Sequence, residues 1–190
     1  MTDGRGLETD ERKSATDRGV PRVDRRRPFG PRDPGDAWVN GPDGSFWGRF
    51  GAAGLLVHDP GRGVLLQHRA QWSDRGGTWG LPGGALHMGE DAVAGALREA
   101  HEEAGVPADA VDLLFTSTYD VGYWSYTTVV VQATRGFEPI AGDAESIELR
   151  WVPLDEVERR PLHPGFAAAW PALRERLLAD GGVAGGDASR

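Results

Sequence analysis

Short apolar segments, separated by residues that favour turns, predict a set of β-strands in the middle of the chain. These strands run from Ala52 to His58, Val64 to His68, Val111 to Tyr119, Trp124 to Ala133 and Glu148 to Val152. The first two are joined by Asp-Pro-Gly-Arg-Gly at positions 59 to 63, a composition typical of a turn. The segment WVNGPDGSFW at positions 38 to 47 predicts either a capping hairpin or a contact between subunits.

Two segments show helical spacing instead, with apolar residues three and four positions apart. The apolar stripe of the first consists of Val93, Ala96, Leu97, Ala100 and Ala104, and that of the second consists of Phe166, Trp170, Leu173 and Leu177. Acidic residues at positions 90 and 91 favour a helix start, and Gly105 favours its end. A second helix is expected from about Pro164 to Ala179. A mixed sheet with helices on its faces accommodates this order of elements.

The composition of the two ends sets the boundaries of the folded domain. Residues 1 to 36 contain nine Lys or Arg, eight Asp or Glu and few apolar residues, which predicts a disordered tail. Residues 180 to 190 predict a flexible C-terminal tail. The intervening residues 37 to 179 are numerous enough to bury a core and predict one domain.

Charge and residue usage narrow the class of protein. The formal net charge of −8 argues against a broad surface for DNA or RNA, because phosphate backbones require clustered Lys and Arg. The chain contains no cysteine, which removes the usual structural zinc site and is compatible with a cytoplasmic location. No apolar run approaches the length of a membrane span, so we expect a soluble protein with no membrane partner.

Three glutamates, Glu99, Glu102 and Glu103, lie at helical positions i, i+3 and i+4 and are therefore neighbours on one face. Like charges this close destabilise a helix, whereas a hard divalent cation such as Mg²⁺ or Mn²⁺ removes the repulsion. The alternative is a solvated acidic face. Arg98 beside the cluster and a Gly-rich turn at 81 to 84 favour the metal site, because bare backbone can approach a metal or a phosphate closely.

Residues 84 to 106, GALHMGEDAVAGALREAHEEAGV, contain a fixed skeleton of Gly84, Glu90 and the run from Arg98 to Val106. This segment resembles the Nudix box, the signature of Mg²⁺-dependent hydrolases that act on a nucleoside diphosphate linked to another group. We refer to it as the box segment. The resemblance implies an α/β fold, the Nudix-type α/β/α sandwich with a mixed β-sheet. Ala100 stands where the pattern prefers a larger aliphatic residue, which affects packing only.

The resemblance also implies roles for individual residues of the box segment. Glu99, Glu102 and Glu103 would bind the catalytic metals, and one of them would serve as the base. The carbonyl of Gly83 would complete the metal shell. The implied cofactor is Mg²⁺, with Mn²⁺ as a substitute. Cations in such a site neutralise a pyrophosphate group and help to deprotonate the attacking water.

Many members of the family add an acid from a later loop. Glu145 is the first candidate here, because it lies in a loop just before a strand in which Ile147, Leu149 and Trp151 share one face. Glu148 is the second candidate, and it would lie on the opposite face of that strand.

A nucleotide substrate requires aromatic and cationic side chains around the metal site. Arg69 lies on the loop before the box segment and is a candidate for a phosphate or ribose contact. Trp79 is a candidate for a slot that holds the base. Tyr123 lies near the distance from the box segment at which dinucleoside polyphosphate hydrolases often carry a tyrosine.

The sequence therefore predicts a hydrolase that cleaves a phosphoanhydride bond in a nucleoside diphosphate derivative or a nucleoside triphosphate. It does not choose between ADP-ribose, dinucleoside polyphosphates, oxidised dNTPs and nucleotide sugars. The main alternative is a catalytically silent Nudix-like regulator that binds nucleotides, and a further alternative is a scaffold whose tail recruits a partner. Homodimers are frequent in this family, but the sequence itself does not set the oligomeric state.

Overall fold

The computed structural model describes residues 33 to 142 and 144 to 181, which form a mixed β-sheet, a separate hairpin and two α-helices. The strands are β1 (Trp38–Gly41), β2 (Gly44–Trp47), β3 (Ala52–Asp59), β4 (Gly63–Arg69), β5 (Trp79–Gly80), β6 (Gly83–Ala85), β7 (Val111–Asp120), β8 (Ser125–Ala133) and β9 (Ser146–Val152). The helices are α1 (Ala92–Ala104) and α2 (Pro164–Gly181), with short 3-10 turns at Ala108–Ala110 and Val157–Arg159. The two predicted tails lie outside the described residues, except for residues 33 to 36 and 180 to 181.

β3 is the central strand of the sheet because it pairs along both of its edges. β8 runs parallel to β3 along one edge, where Leu55 lies opposite Val129. The other edge is shared, since β6 pairs with residues 52 to 54 and β4 pairs with residues 58 and 59. Farther out, β5 and β9 pair with β4, and β7 pairs with β8. All of these pairings except that of β3 with β8 are antiparallel, so the sheet is mixed.

Side chains alternate between the two faces of the sheet, and each face buries one helix. Leu55 and Val57 of β3 lie on one face with Leu65 of β4, and there they pack against the alanines of α1. Leu56 lies on the other face, in a cluster with Trp170 of α2. The result is three layers in the order helix, sheet and helix, as the sequence predicts.

Each helix packs its predicted apolar stripe against the sheet, although Val93 and Leu97 of α1 are only partly buried. Ala96, Ala100 and Ala104 of α1 are fully buried, and their small side chains let the helix lie close to the sheet. On α2 the buried residues are Phe166, Trp170, Leu173 and Leu177. No helix in the described part of the chain is both long enough and apolar enough to span a membrane.

One segment that the sequence predicts to be a turn is a strand instead. Residues 81 to 84 contain the start of β6, in which Gly83 pairs with Gly54 and Gly84 pairs with Ala53. The two backbones approach so closely that a Cβ added to Gly83 would overlap the carbonyl oxygen of Ala53. The turn prediction is wrong for Gly83 and Gly84, because a strand of three residues, two of them glycine, is too short to show the alternation of a strand.

The hairpin of β1 and β2 packs on the turn between β7 and β8 through aromatic side chains. Phe46 stacks on Trp124 with ring centres 4.3 Å apart. The indole Nε1 of Trp124 also donates a hydrogen bond to the carbonyl of Trp47, at 3.1 Å. The predicted hairpin is therefore present, while a contact between subunits stays a prediction.

Trp170 is the largest fully buried side chain of the sheet's α2 face, and its removal should weaken the fold strongly. We expect Trp170→Ala to lower the free energy of unfolding by about 3 to 5 kcal/mol, because truncation of a buried aromatic leaves a cavity. Urea denaturation followed by circular dichroism measures this loss. The control is Leu178→Ala, at an exposed position of the same helix, for which we expect a change within about 0.5 kcal/mol. Equal losses in the two variants would contradict the described packing of α2.

Candidate active site

Arg98 fastens the loop that precedes α1 to the body of that helix. Its guanidinium donates from Nε and Nη2 to the two carboxylate oxygens of Glu90, each at 2.9 Å. Nη2 also donates to the carbonyl of Ala85 at 3.1 Å, and Glu90 accepts from the backbone amide of His87 at 3.0 Å. Arg98 therefore makes a bidentate contact with Glu90, and this contact fixes the path of the chain from β6 into α1.

The ends of α1 are set by residues that suit a helix boundary. Asp91 is the N-cap, and its carboxylate accepts hydrogen bonds from the amides of Val93 and Ala94, both at 2.9 Å. Gly105 ends the helix in the left-handed conformation, with φ of 65°, as predicted. The two acids before the helix thus act as a cap and, in Glu90, as the partner of Arg98, rather than as charges within the first turn.

The three glutamates of α1 differ widely in exposure. Glu103 is 7% exposed, whereas the side chains of Glu99 and Glu102 are 17% and 61% exposed. The row of carboxylates therefore runs from the protein interior to solvent. Desolvation of a charge is costly unless it is compensated, so the two inner carboxylates have the greater need of partners.

β6 lies beside the two inner carboxylates. The amide of Gly83 donates to Oε2 of Glu103 at 2.9 Å. The carboxylate of Glu99 lies next to Gly84, where an added Cβ would come within 2.6 Å of it, and accepts from Nη1 of Arg98 at 2.8 Å. Both strand positions are glycine, so no side chain of β6 separates the two carboxylates from its backbone.

The ionisation of Glu99 is governed mainly by burial, which raises the pKa of its carboxyl above the usual value. The guanidinium of Arg98 opposes this rise in pKa, while the negative charges of Glu102 and Asp36 add to it. Neighbouring carboxylates that are partly buried repel one another when they are ionised. A bound cation removes this repulsion, so such a cluster favours cation binding.

Within the described part of the chain, no three acidic or histidine side chains converge closely enough to hold a metal ion as they stand. The chemistry of the donor set nevertheless fits Mg²⁺ or Mn²⁺, which prefer oxygen ligands. Glu99, Glu102 and Glu103 offer carboxylate oxygens on one helix face, and Gly83 offers a carbonyl on a strand that carries no side chain there. A side chain at Gly84 would fill the space beside Glu99, so the sequence keeps that space clear.

The predicted assisting acid, Glu145, lies in the loop just before β9. Its carbonyl accepts a hydrogen bond from the amide of Ala70 at 2.7 Å, which joins this loop to the end of β4. The next residue, Ser146, accepts at Oγ from Nε2 of Gln67 at 2.8 Å, and the same nitrogen donates to Glu103 at 3.4 Å. The loop that carries Glu145 is thus connected to the buried glutamate through one side chain.

Two of the predicted substrate contacts, Arg69 and Trp79, lie where β4 and β5 pair. Arg69 ends β4, and its Nε donates to the carbonyl of Asp74 at 3.1 Å. Trp79 is buried, stacks on His68 with ring centres 4.7 Å apart, and lies 4.4 Å from the guanidinium carbon of Arg160. The indole ring is therefore engaged in core packing, whereas Arg69 is partly exposed at the sheet edge.

The third predicted contact, Tyr123, is engaged with the hairpin. Its hydroxyl accepts a hydrogen bond from the amide of Asp43 at 3.2 Å and donates to the carbonyl of Gly44 at 3.3 Å. These bonds hold the turn of the hairpin against the turn between β7 and β8. The structure thus gives Tyr123 a packing role, and its contact with substrate stays a prediction.

Tyr126 is a residue of this region that the sequence analysis misses. Its hydroxyl lies against Gly54, where an added Cβ would overlap it. Burial raises the pKa of this hydroxyl to about 12, and the charges of Arg69, Glu103 and Glu99 also act on it. The Tyr126 hydroxyl is thus sensitive to the charges of Arg69 and of the two inner glutamates of α1. A tyrosine in a β-branched strand is common, so the sequence gives no signal for it.

Comparison with known proteins gives consistent matches over most of the chain. A family model described as the NUDIX domain matches residues 48 to 174. The protein named "Putative 8-oxo-dGTP diphosphatase 3" from Mycobacterium tuberculosis is 47% identical over 154 residues, which cover 75% of this chain and 70% of that relative. A "Nucleoside triphosphate pyrophosphatase/Nudix hydrolase fusion protein" from Bifidobacterium longum is 44% identical over 76% of this chain, but only 32% of that longer protein is matched. The crystal structure of a Nudix hydrolase from M. smegmatis is 47% identical and superposes with a TM-score of 0.69 over 76% of this chain and 96% of that one.

The pair of Glu90 and Arg98 should make stability depend on pH in the acid range. Hydrogen bonds from Arg98 are the main cause that lowers the pKa of Glu90 to about 2, from an ordinary value of 4.5. Because the folded-state pKa is the lower one, the pair stabilises the fold above about pH 5, and this stability is lost as pH falls towards 2. We expect Glu90→Gln to lower the free energy of unfolding by about 1 to 3 kcal/mol at pH 7, because solvent screens part of the interaction, and by much less near pH 2.5. Urea denaturation at both pH values measures the difference.

Glu138→Gln is the matched control for this measurement. Glu138 also pairs with an arginine, Arg62 at 3.3 Å, but its side chain is exposed. We expect a change of about 0.5 kcal/mol or less at both pH values, because exposed ion pairs contribute little. A Glu90→Gln penalty that is the same at pH 7 and pH 2.5 would contradict the depressed pKa of Glu90.

Proposed function

The chain belongs to the NUDIX domain family and is a nucleotide pyrophosphohydrolase, and on this premise we propose that it cleaves a phosphoanhydride bond of a nucleoside triphosphate in a Mg²⁺-dependent reaction. Its fold is the Nudix-type α/β/α sandwich that the sequence predicts. Members of this family act on small nucleotide substrates, and a nucleoside diphosphate derivative is the wider class to which the proposal extends. The proposal concerns the metal, the residues that hold it and the choice of substrate.

The observation that carries the proposal is the environment of Glu103. Its carboxylate is almost fully buried, accepts a hydrogen bond from Gly83 and lies one helical turn from Glu99, a second acid whose burial raises its pKa. An acidic pair in such a place is costly for the protein by itself. The cost is explained if the carboxylates serve a cation and a phosphate group at this point.

We assign Glu99, Glu102 and Glu103 as the side chains that would hold the metal, with the carbonyl of Gly83 beside them. When bound, Mg²⁺ supplies neutralisation of the phosphate charge and a lower pKa for a coordinated water. The chain itself orients the ligands: Arg98 holds one oxygen of Glu99, and the amide of Gly83 holds one oxygen of Glu103.

Phosphate binding requires positive charge near the glutamates, and Arg69 supplies it. Burial is the main cause that raises the pKa of the Tyr126 hydroxyl, whereas the charge of Arg69 lowers this pKa and the charges of Glu103 and Glu99 raise it further. A planar guanidinium suits two oxygens of one phosphate group, so we propose that Arg69 binds a phosphate and that the Tyr126 hydroxyl donates to the same substrate. We propose that Glu145 assists from the loop before β9.

We propose an oxidised dNTP as the substrate class. The support is the relative named as an 8-oxo-dGTP diphosphatase, which is 47% identical over most of both chains. The fusion protein's name also includes a nucleoside triphosphate pyrophosphatase, but this chain matches less than a third of its length and therefore adds less support. Discrimination between an oxidised and a normal base would depend on the side chains that form hydrogen bonds to the edge of the base.

The experiment that tests the proposal is release of pyrophosphate and phosphate from a panel of nucleotides with Mg²⁺, with Mn²⁺ and with chelator. The panel contains 8-oxo-dGTP, the normal dNTPs, ADP-ribose, diadenosine polyphosphates and nucleotide sugars. We expect the highest kcat/KM with 8-oxo-dGTP and no turnover with chelator. Preference for another class would overturn the substrate proposal, and tight binding without turnover under any metal would favour the silent regulator.

Glu103→Gln tests the assignment of the metal ligands. The substitution keeps the shape of the side chain but removes an anionic oxygen, so we expect kcat to fall by at least about 10²-fold, as on loss of one strong transition-state contact. Steady-state kinetics at saturating Mg²⁺ measure the loss. Glu175→Gln, at an exposed position on α2, is the control and should leave kcat unchanged. Near-wild-type turnover by Glu103→Gln would show that the assignment is wrong.

A further inference from the structure

Gln67 is a polar residue in a strand whose interior is otherwise apolar. Its side chain is 0% exposed, and it shares the α1 face of the sheet with Leu65, two positions earlier in β4. Full burial of a primary amide is unusual, because each of its polar atoms loses contact with water. The position therefore requires an explanation in terms of what the amide contacts.

The amide nitrogen of Gln67 connects two segments of the candidate active site. Nε2 donates to Oγ of Ser146 at 2.8 Å and to Oε2 of Glu103 at 3.4 Å, which accounts for its two hydrogens. Ser146 begins β9 and follows Glu145 directly, whereas Glu103 lies on α1. One side chain thus spans the helix that carries the proposed metal ligands and the loop that carries the proposed assisting acid.

The orientation of the amide is fixed by this contact. The reversed arrangement would place the amide oxygen against the Glu103 carboxylate, where two acceptors repel. With Nε2 facing Glu103, the amide oxygen Oε1 is buried without a hydrogen-bond partner among the described residues. An apolar side chain of the same volume would avoid the unpaired Oε1, but it would also remove a donor from the buried Glu103 carboxylate and from Ser146. The glutamine is therefore explained by the two groups that its amide joins.

We propose that Gln67 is a positioning residue, which holds the Glu103 carboxylate and the loop before β9 in one fixed relation for the reaction. This inference rests on the proposed function, because Gln67 acts only through Glu103, which we propose to be a metal ligand. Oε2 of Glu103 is held between Gln67 and the amide of Gly83, so its other oxygen has a defined direction. Small displacements of a reacting or ligating group lower the rate strongly, and long hydrogen bonds are common in catalytic sites without substrate.

Gln67→Met in the full chain tests the proposal, because methionine keeps the volume and removes both hydrogen bonds. We expect kcat to fall by about tenfold to a hundredfold with KM within about twofold, since positioning acts on the chemical step. The melting temperature should stay close to that of the wild type, because removal of the unpaired Oε1 offsets the lost hydrogen bonds to Glu103 and Ser146. Leu65→Met, a volume-conserving change on the same face of β4, is the control and should leave kcat unchanged.

A second measurement does not depend on turnover. The Gly83 amide donates to the oxygen of Glu103 that Gln67 also holds, so its hydrogen exchange, followed by NMR, reports the placement of that carboxylate. We expect this amide to exchange faster in Gln67→Met than in Leu65→Met. Ser146→Ala, which perturbs the core less, should also lower kcat and should add little in the Gln67→Met background, because both act through one connection.

Two outcomes would overturn the proposal. One is a kcat of Gln67→Met within twofold of the control, and the other is a lowered melting temperature with unchanged exchange at Gly83, which indicates a purely structural role. Failure of the proposed function is distinguishable from both. If the wild-type protein hydrolyses no nucleotide, the proposed function is wrong. The exchange rate of the Gly83 amide in Gln67→Met still tests the positioning of Glu103 in that case, and an unchanged rate contradicts it.

Discussion

The rest of the structure depends on one largely buried ion pair, that of Arg98 with Glu90. The guanidinium is bound at the same time to the loop before α1, to the carbonyl of Ala85 in β6 and to Glu99 on the helix itself. It therefore sets the direction in which α1 leaves the sheet. That direction places Glu99 and Glu103 beside the two glycines of β6. Removal of either partner would leave a partly buried charge without its main partner, which lowers the stability of the surrounding structure.

Most of the fold could be predicted from the sequence because its main elements carry strong patterns. β3, β4, β7, β8 and β9 contain seven residues or more, and both helices bury continuous apolar stripes. β5 and β6, of two and three residues, are too short to show any period. They form because neighbouring strands offer an edge, and in β6 because glycine permits the approach. Their existence is thus a property of the assembled sheet rather than of local sequence.

The candidate site could be predicted where it depends on spacing along a helix and not where it depends on strand pairing. Glu99, Glu102 and Glu103 follow from helical geometry alone. Gln67 and Tyr126 are brought to the same region by β4 and β8, and neither a glutamine in an apolar strand nor a tyrosine in a β-branched one stands out in a sequence. The sequence does not show which aromatic residues contact a substrate, because a ring in the core and a ring beside a substrate have the same local pattern.

The parallel pairing of β3 with β8 has a consequence for how the chain folds. Ala52 pairs with Tyr126, and everything between them, including β6 and α1, lies within the loop that this pairing closes. Contacts between such distant positions form slowly, because the entropy of closing a long loop is lost before the contacts compensate for it. The glutamates can line up on α1 early, as a local event. They acquire Gly83 and Gln67 as neighbours when β6 and β4 join β3, and Tyr126 joins the same sheet only when the parallel pair closes. The complete site is therefore expected to form late in folding.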